Sequence, residues 1–128
     1  MERFKALLEE LKGEIPGFIG AAIVEGKEGL TVVETKAVED IDLQVSAAYS
    51  MEATRYQMRA LEALSTASLS NLIAISDNHI VITKPVSDGD FYLHLIVSRE
   101  KATLGIVTAI LSRYAKLFEE AMKDWLAS

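Results

Sequence analysis

Apolar residues recur along this chain with two different periods. Phe4, Leu7, Leu8, Leu11 and Ile15 share one face of a helix that Gly13 and Pro16 bring to a close. Residues 18–24 form a strand, Gly26-Lys27-Glu28-Gly29 a turn, and residues 30–36 a second strand whose Thr, Glu and Lys suit a solvated edge, so the two make a hairpin. Residues 38–42 offer N-cap carboxylates, and residues 43–64, free of Gly and Pro, then predict a long second helix. Residues 72–75, 79–86 and 91–98 read as a three-strand meander with tight turns at Asp77-Asn78 and Ser87-Asp88-Gly89-Asp90. Leu104, Val107, Ile110, Leu111, Tyr114, Leu117, Phe118, Ala121, Met122 and Trp125 keep helical spacing almost to the end. The order is α-β-β-α-β-β-β-α. No repeat, linker or low-complexity segment divides it, so residues 1–128 are expected to form a single domain.

The first strand lacks polar alternation and carries Gly20-Ala21-Ala22 at its middle, although small residues are poor strand formers. A strand without a polar face is covered on both sides, and small side chains let helices approach it closely. Phe18, Gly20, Ala22 and Val24 are expected to face one layer, and Ile19, Ala21 and Ile23 the other. This predicts a three-layer α/β/α sandwich of the α+β class.

The second helix has more apolar surface than one sheet contact needs. With residues 100° apart, its charged arc holds only Gln44, Glu52, Arg55, Arg59 and Glu62 and spans roughly 80°. Leu43, Ala47, Met51, Met58 and Leu61 are expected to face the sheet. Val45, Tyr49, Ala53, Tyr56 and Ala60 form a second stripe suited to a partner helix.

Composition removes several functions. With 128 residues, half of them apolar, one core is expected, and a net charge of −6 disfavours a nucleic-acid partner. No cysteine is present, hence no disulfide, thiolate nucleophile or cysteine metal site. The amphipathic, charged start and the lack of long apolar runs predict a cytoplasmic protein with no membrane insertion. The two histidines do not assemble a triad or zinc site: His94 reads as a hydrogen-bonded core residue and His79 as part of a hairpin. Ser87-Asp88-Gly89-Asp90 lacks the later carboxylates of a calcium loop, and no phosphate-binding glycine motif occurs. Arg55 and Arg59 read as solvated partners of Glu52 and Glu62 rather than as fingers on a bound nucleotide. No catalytic, cofactor-binding or metal residue is assigned, and the chain is expected not to be an enzyme.

The motifs and their order resemble the Roadblock/LC7 family of dynein light chains and small-GTPase regulators. The resemblance rests on a first helix ending in Ile15-Pro16-Gly17, the strand Gly20-Ala21-Ala22-Ile23-Val24, a Gly29-Leu30 turn, the long second helix, Lys84-Pro85-Val86 with Asp88-Gly89, and Leu104-Gly105 opening the last helix. It implies a profilin-like, five-stranded antiparallel sheet of order 2-1-5-4-3, with strand 3 at an edge. That strand, Leu72-Ile73-Ala74-Ile75, has neither charge nor Pro to guard it. The family pairs this strand with its symmetry mate and packs the second helix on its counterpart. The implied function is a homodimeric, non-catalytic regulator or scaffold of a small Ras-like GTPase, with a GTPase-activating role among its forms. The docking surface would be Glu52, Arg55, Arg59 and Glu62 of both copies, extended by the end of the last helix around Lys123 and Trp125. The alternatives are a small-ligand sensor of PAS, GAF or profilin-like type, which should retain a pocket between sheet and helix, and a motor-cargo adaptor.

Overall fold

A computed structural model of the chain describes residues 2–65 and 68–128. The elements are α1 (Glu2–Glu14), β1 (Phe18–Glu25), β2 (Thr31–Lys36), α2 (Leu43–Glu62), β3 (Leu72–Ile75), β4 (His79–Val86), β5 (Phe91–Ser98) and α3 (Leu104–Ala127). The strands form one antiparallel sheet of order β2-β1-β5-β4-β3, the order that the resemblance implies. β2 begins one residue later than its pattern predicts and α2 ends two residues earlier, as is usual where elements fray.

The sheet carries two unequal cores. α1 and α3 cover one face, burying Phe4, Leu7, Leu8, Leu11, Ile23, Leu93, Leu95, Leu111 and Phe118. Phe4 is the hinge of that layer, with ring centroids 6.4 Å from Phe118 and 6.2 Å from Trp125. α2 covers the other face over a smaller cluster of Ala22, Val24, Leu43, Ala47, Met51, Tyr92 and Ile96. The three-layer arrangement follows from β1 being buried on both sides, as its apolar sequence requires.

Two details of the sequence reading need correction. Phe18 packs with the α1/α3 core and Ile19 with the α2 core, the reverse of strict alternation, because the β1–β5 register shifts between Phe18 and Gly20. The irregularity puts Ile19 and Gly20 on the same side. A Cβ at Gly20 would lie 3.2 Å from Ile41 Cδ1 and 3.4 Å from Leu43 Cδ1, so the small residue lets the start of α2 settle on the strand. The second correction concerns α2: Met58 and Leu61 are only half-buried, while Thr54 is fully buried. Its hydroxyl donates back to the Ser50 carbonyl at 2.7 Å, which satisfies a polar group on the sheet side. Asp42 caps α2 by accepting from the Val45 N–H at 3.1 Å.

His94 sits under α2, wholly buried, its ring between the Ser46 hydroxyl at 2.9 Å and the Thr83 hydroxyl at 3.1 Å. Burial pushes its pKa down to about 4, so it is neutral at pH 7, with one ring nitrogen donating and the other accepting. The core role expected from the sequence is the one it has.

Candidate partner-binding surfaces

The two open edges of the sheet are finished differently. On β3 the Ser76–His79 bond closes the turn to β4, and alternation along the ladder points the N–H and C=O groups of Ile73 and Ile75 outward. Among the described residues no side chain caps them, and the two side chains are 37% and 54% exposed on the α1/α3 face. Ala74, on the α2 face, is exposed as well, and Leu72 is half-buried. On β2 the outward carbonyls belong to Glu34 and Lys36, because the Ala37 N–H bonds the Ile19 carbonyl on the inner side. Both carbonyls are taken: Lys5 donates to that of Glu34, and Lys12 to that of Lys36 at 3.2 Å. These lysine caps escape sequence reasoning, since Lys5 and Lys12 read there simply as the polar side of α1.

α2 presents its second stripe as predicted. Val45, Tyr49 and Tyr56 are 50%, 70% and 68% exposed, and Ala53 and Ala60 are exposed between them. Large side chains so open on one helix face form the kind of surface that protein partners cover. α2 packs over β2, β1, β5 and β4, on the same face of the sheet as Ala74 of β3.

The charged strip differs from expectation. Glu52, Arg59 and Glu62 are exposed and Arg55 half-buried, but neither arginine pairs with either glutamate. Among the described residues the ion pairs are Lys5–Glu9 and Arg113–Glu14. Arg55 Nη2 donates to the Lys27 carbonyl at 2.7 Å, tying α2 to the β1–β2 turn, because a fixed carbonyl competes well with a mobile exposed carboxylate. Arg59 stacks over the Tyr56 ring at 5.5 Å, leaving its guanidinium edge to solvent. Glu52, Arg55, Tyr56 and Arg59 together line a depression of about 230 Å³.

One cleft of about 350 Å³ opens at the far end of α2, lined by Met58, Leu69, Pro85, Asp88, Tyr92 and Glu119 among others. Its floor includes a left-handed turn, with φ of 53° at Ser87 and 57° at Asp88, both unfavourable for residues with a Cβ. The Glu119 carboxylate steadies it by accepting the Ser87 N–H at 2.9 Å. Among the described residues no group of three or more His, Asp or Glu side chains is placed to hold a metal ion, and no helix is long and apolar enough to cross a membrane.

No family model matches the sequence, and no curated protein matches it either. Solved structures do. The gliding protein MglB from Thermus thermophilus superposes with a TM-score of 0.86 at 17% identity, over 96% of this chain and 90% of that one. MglB from Myxococcus xanthus gives 0.82 at 12% identity, over 93% and 94%. A Roadblock/LC7 domain from Streptomyces avermitilis gives 0.79 at 13% identity, over 96% and 97%. With element order, sheet order and near-complete overlap all agreeing at these low identities, the chain has the Roadblock/LC7 fold.

Proposed function

We propose that this chain is a homodimeric, non-catalytic regulator or scaffold of a small Ras-like GTPase, with the dimer formed through β3 and the outer stripe of α2. The observation that carries the reading is the uncapped β3 edge, where Ile73 and Ile75 hold out backbone groups that natural edges normally guard. A twofold axis at Ala74 would set Ile73 opposite Ile75 of a second copy, each pair exchanging both N–H···O bonds. Ala74 then faces its own counterpart on the α2 side, and its small size leaves room for the two α2 helices to meet above the seam. Tyr49 and Tyr56 would be buried there.

The GTPase partner is what the Roadblock/LC7 resemblance implies, and the surface that fits it is the merged strip of Glu52, Arg55, Arg59 and Glu62 from both copies. Mixed charge of this kind steers and orients an encounter more than it adds affinity. A GTPase-activating role would work by ordering the partner's switch loops. The ligand-sensor alternative has in its favour the cleft where Met58 of α2 and Glu119 of α3 meet Pro85 and Tyr92 of the sheet, and it stands second because the uncapped β3 edge calls for a protein partner.

Light scattering on Ile73→Lys tests the seam. A charge placed between two paired strands should yield monomer or aggregate. An unchanged dimer mass would move the interface elsewhere.

A further inference from the structure

We infer that the outer edge of β2 is a second strand-pairing surface for another copy of this chain, held shut by Lys5 and Lys12 of α1. The β2 sequence is self-complementary in one antiparallel register. With a twofold axis at Thr35, Glu34 of one copy stands opposite Lys36 of the other, twice over. Both residues point their backbone groups outward, so each such pair would be hydrogen-bonded, and Thr35 would meet Thr35 between them. Opposite charges and paired threonines are favourable cross-strand neighbours. The Glu34 and Lys36 side chains share the α2 face, where Glu34 accepts from Gln44 Nε2 at 3.0 Å and Lys36 reaches the Ile41 carbonyl at 3.5 Å, two contacts that a pair across copies would exchange for its own.

What prevents the pairing is α1. Lys5, Glu9 and Lys12 stand four and then three residues apart, on one side of the helix. Glu9 accepts from the Thr35 hydroxyl at 2.7 Å and lies 3.7 Å from Lys5, which fixes the strip to β2. The two lysines then occupy the outward carbonyls of Glu34 and Lys36, where an added strand would have to donate. The edge therefore has its partner's charge pattern and register built in, while its outward acceptors are occupied by Lys5 and Lys12. If β3 pairs as proposed above, opening β2 as well would let dimers grow further by extending the sheet, because β2 and β3 are its opposite edges.

The test is Lys5→Met/Lys12→Met, compared with its own parent in two backgrounds by light scattering. In the Ile73→Lys background, which isolates β2 from β3, the mass should about double. In the otherwise unchanged chain it should rise beyond the parent with concentration. High salt and a further Glu34→Lys change should each reverse the growth, since both act on the cross-strand charges. A folded double variant with the parent's mass, or growth indifferent to Glu34→Lys, would overturn the inference. Persistence of a dimer in Ile73→Lys alone would count only against the β3 seam. Should the double variant lose its helical circular dichroism, Lys12→Met alone frees the Lys36 carbonyl. Concentration-dependent protection of the Glu34 and Lys36 amides from hydrogen exchange then supports the pairing, and free exchange at every concentration refutes it.

Discussion

His94 should make the α2 layer acid-sensitive between pH 7 and pH 5. Its pKa falls from 6.5 to about 4 on folding because the ring is buried between α2 and the sheet. A group that binds its proton more weakly when folded contributes its full stability above the unfolded pKa and loses it as pH drops toward the folded one. The gap of about 2.5 pH units, at about 1.4 kcal/mol per unit, is worth about 3 kcal/mol in total, of which about 2 kcal/mol should be gone by pH 5. Glu9, held below the usual range chiefly by the Thr35 hydroxyl, loses its contribution only at more acid pH, so measurements between pH 7 and 5 report mainly on the histidine. The assay is urea unfolding followed by circular dichroism at fixed protein concentration, for the parent and for His94→Gln, whose amide can still meet Ser46 and Thr83. The parent should lose stability across the window while the variant stays nearly flat. Parallel curves would refute the argument, showing that the ring is not the group whose burial resists protonation.

Three further outcomes follow from the geometry. Phe4→Ala removes a side chain only 2% exposed that joins α1 to Phe118 and Trp125, and should cost about 3–5 kcal/mol, read as a fall in melting temperature; a loss under about 1 kcal/mol would mean that the layer closes over the gap. Asp42→Ala removes the α2 cap and should cost about 1 kcal/mol, against about 0.3 kcal/mol or less for Asp42→Asn, whose side-chain oxygen can still accept. Arg59→Glu, at an exposed side chain that stacks on Tyr56, should leave the proposed dimer intact while weakening binding of a GTP-loaded Ras-like partner about tenfold, equal to about 1.4 kcal/mol; normal binding, with loss at Arg113 or Lys116 instead, would place the docking face on α3.

Local periodicity was enough to write the element order. The meander at 72–75, 79–86 and 91–98 was legible because strand alternation and turn residues are properties of neighbours in sequence, and so was the double-sided burial of β1 from its missing polar positions. The exposed stripe of α2 was legible for the same reason, since helical phase alone places Val45, Tyr49 and Tyr56 away from the sheet-facing residues. What the tertiary structure decided are pairings between distant residues that no local pattern encodes. His94 finds Ser46 at a separation of 48 residues, Arg55 finds the Lys27 carbonyl at 28 instead of a glutamate on its own helix, and Lys5 and Lys12 find β2 at 29 and 24. The exchange of Phe18 and Ile19 between layers is of the same kind, because a register shift belongs to two strands together and leaves no mark in either one. Sequence period fixes which way a side chain points within its element; only packing brings the acceptor, edge or ring that it meets.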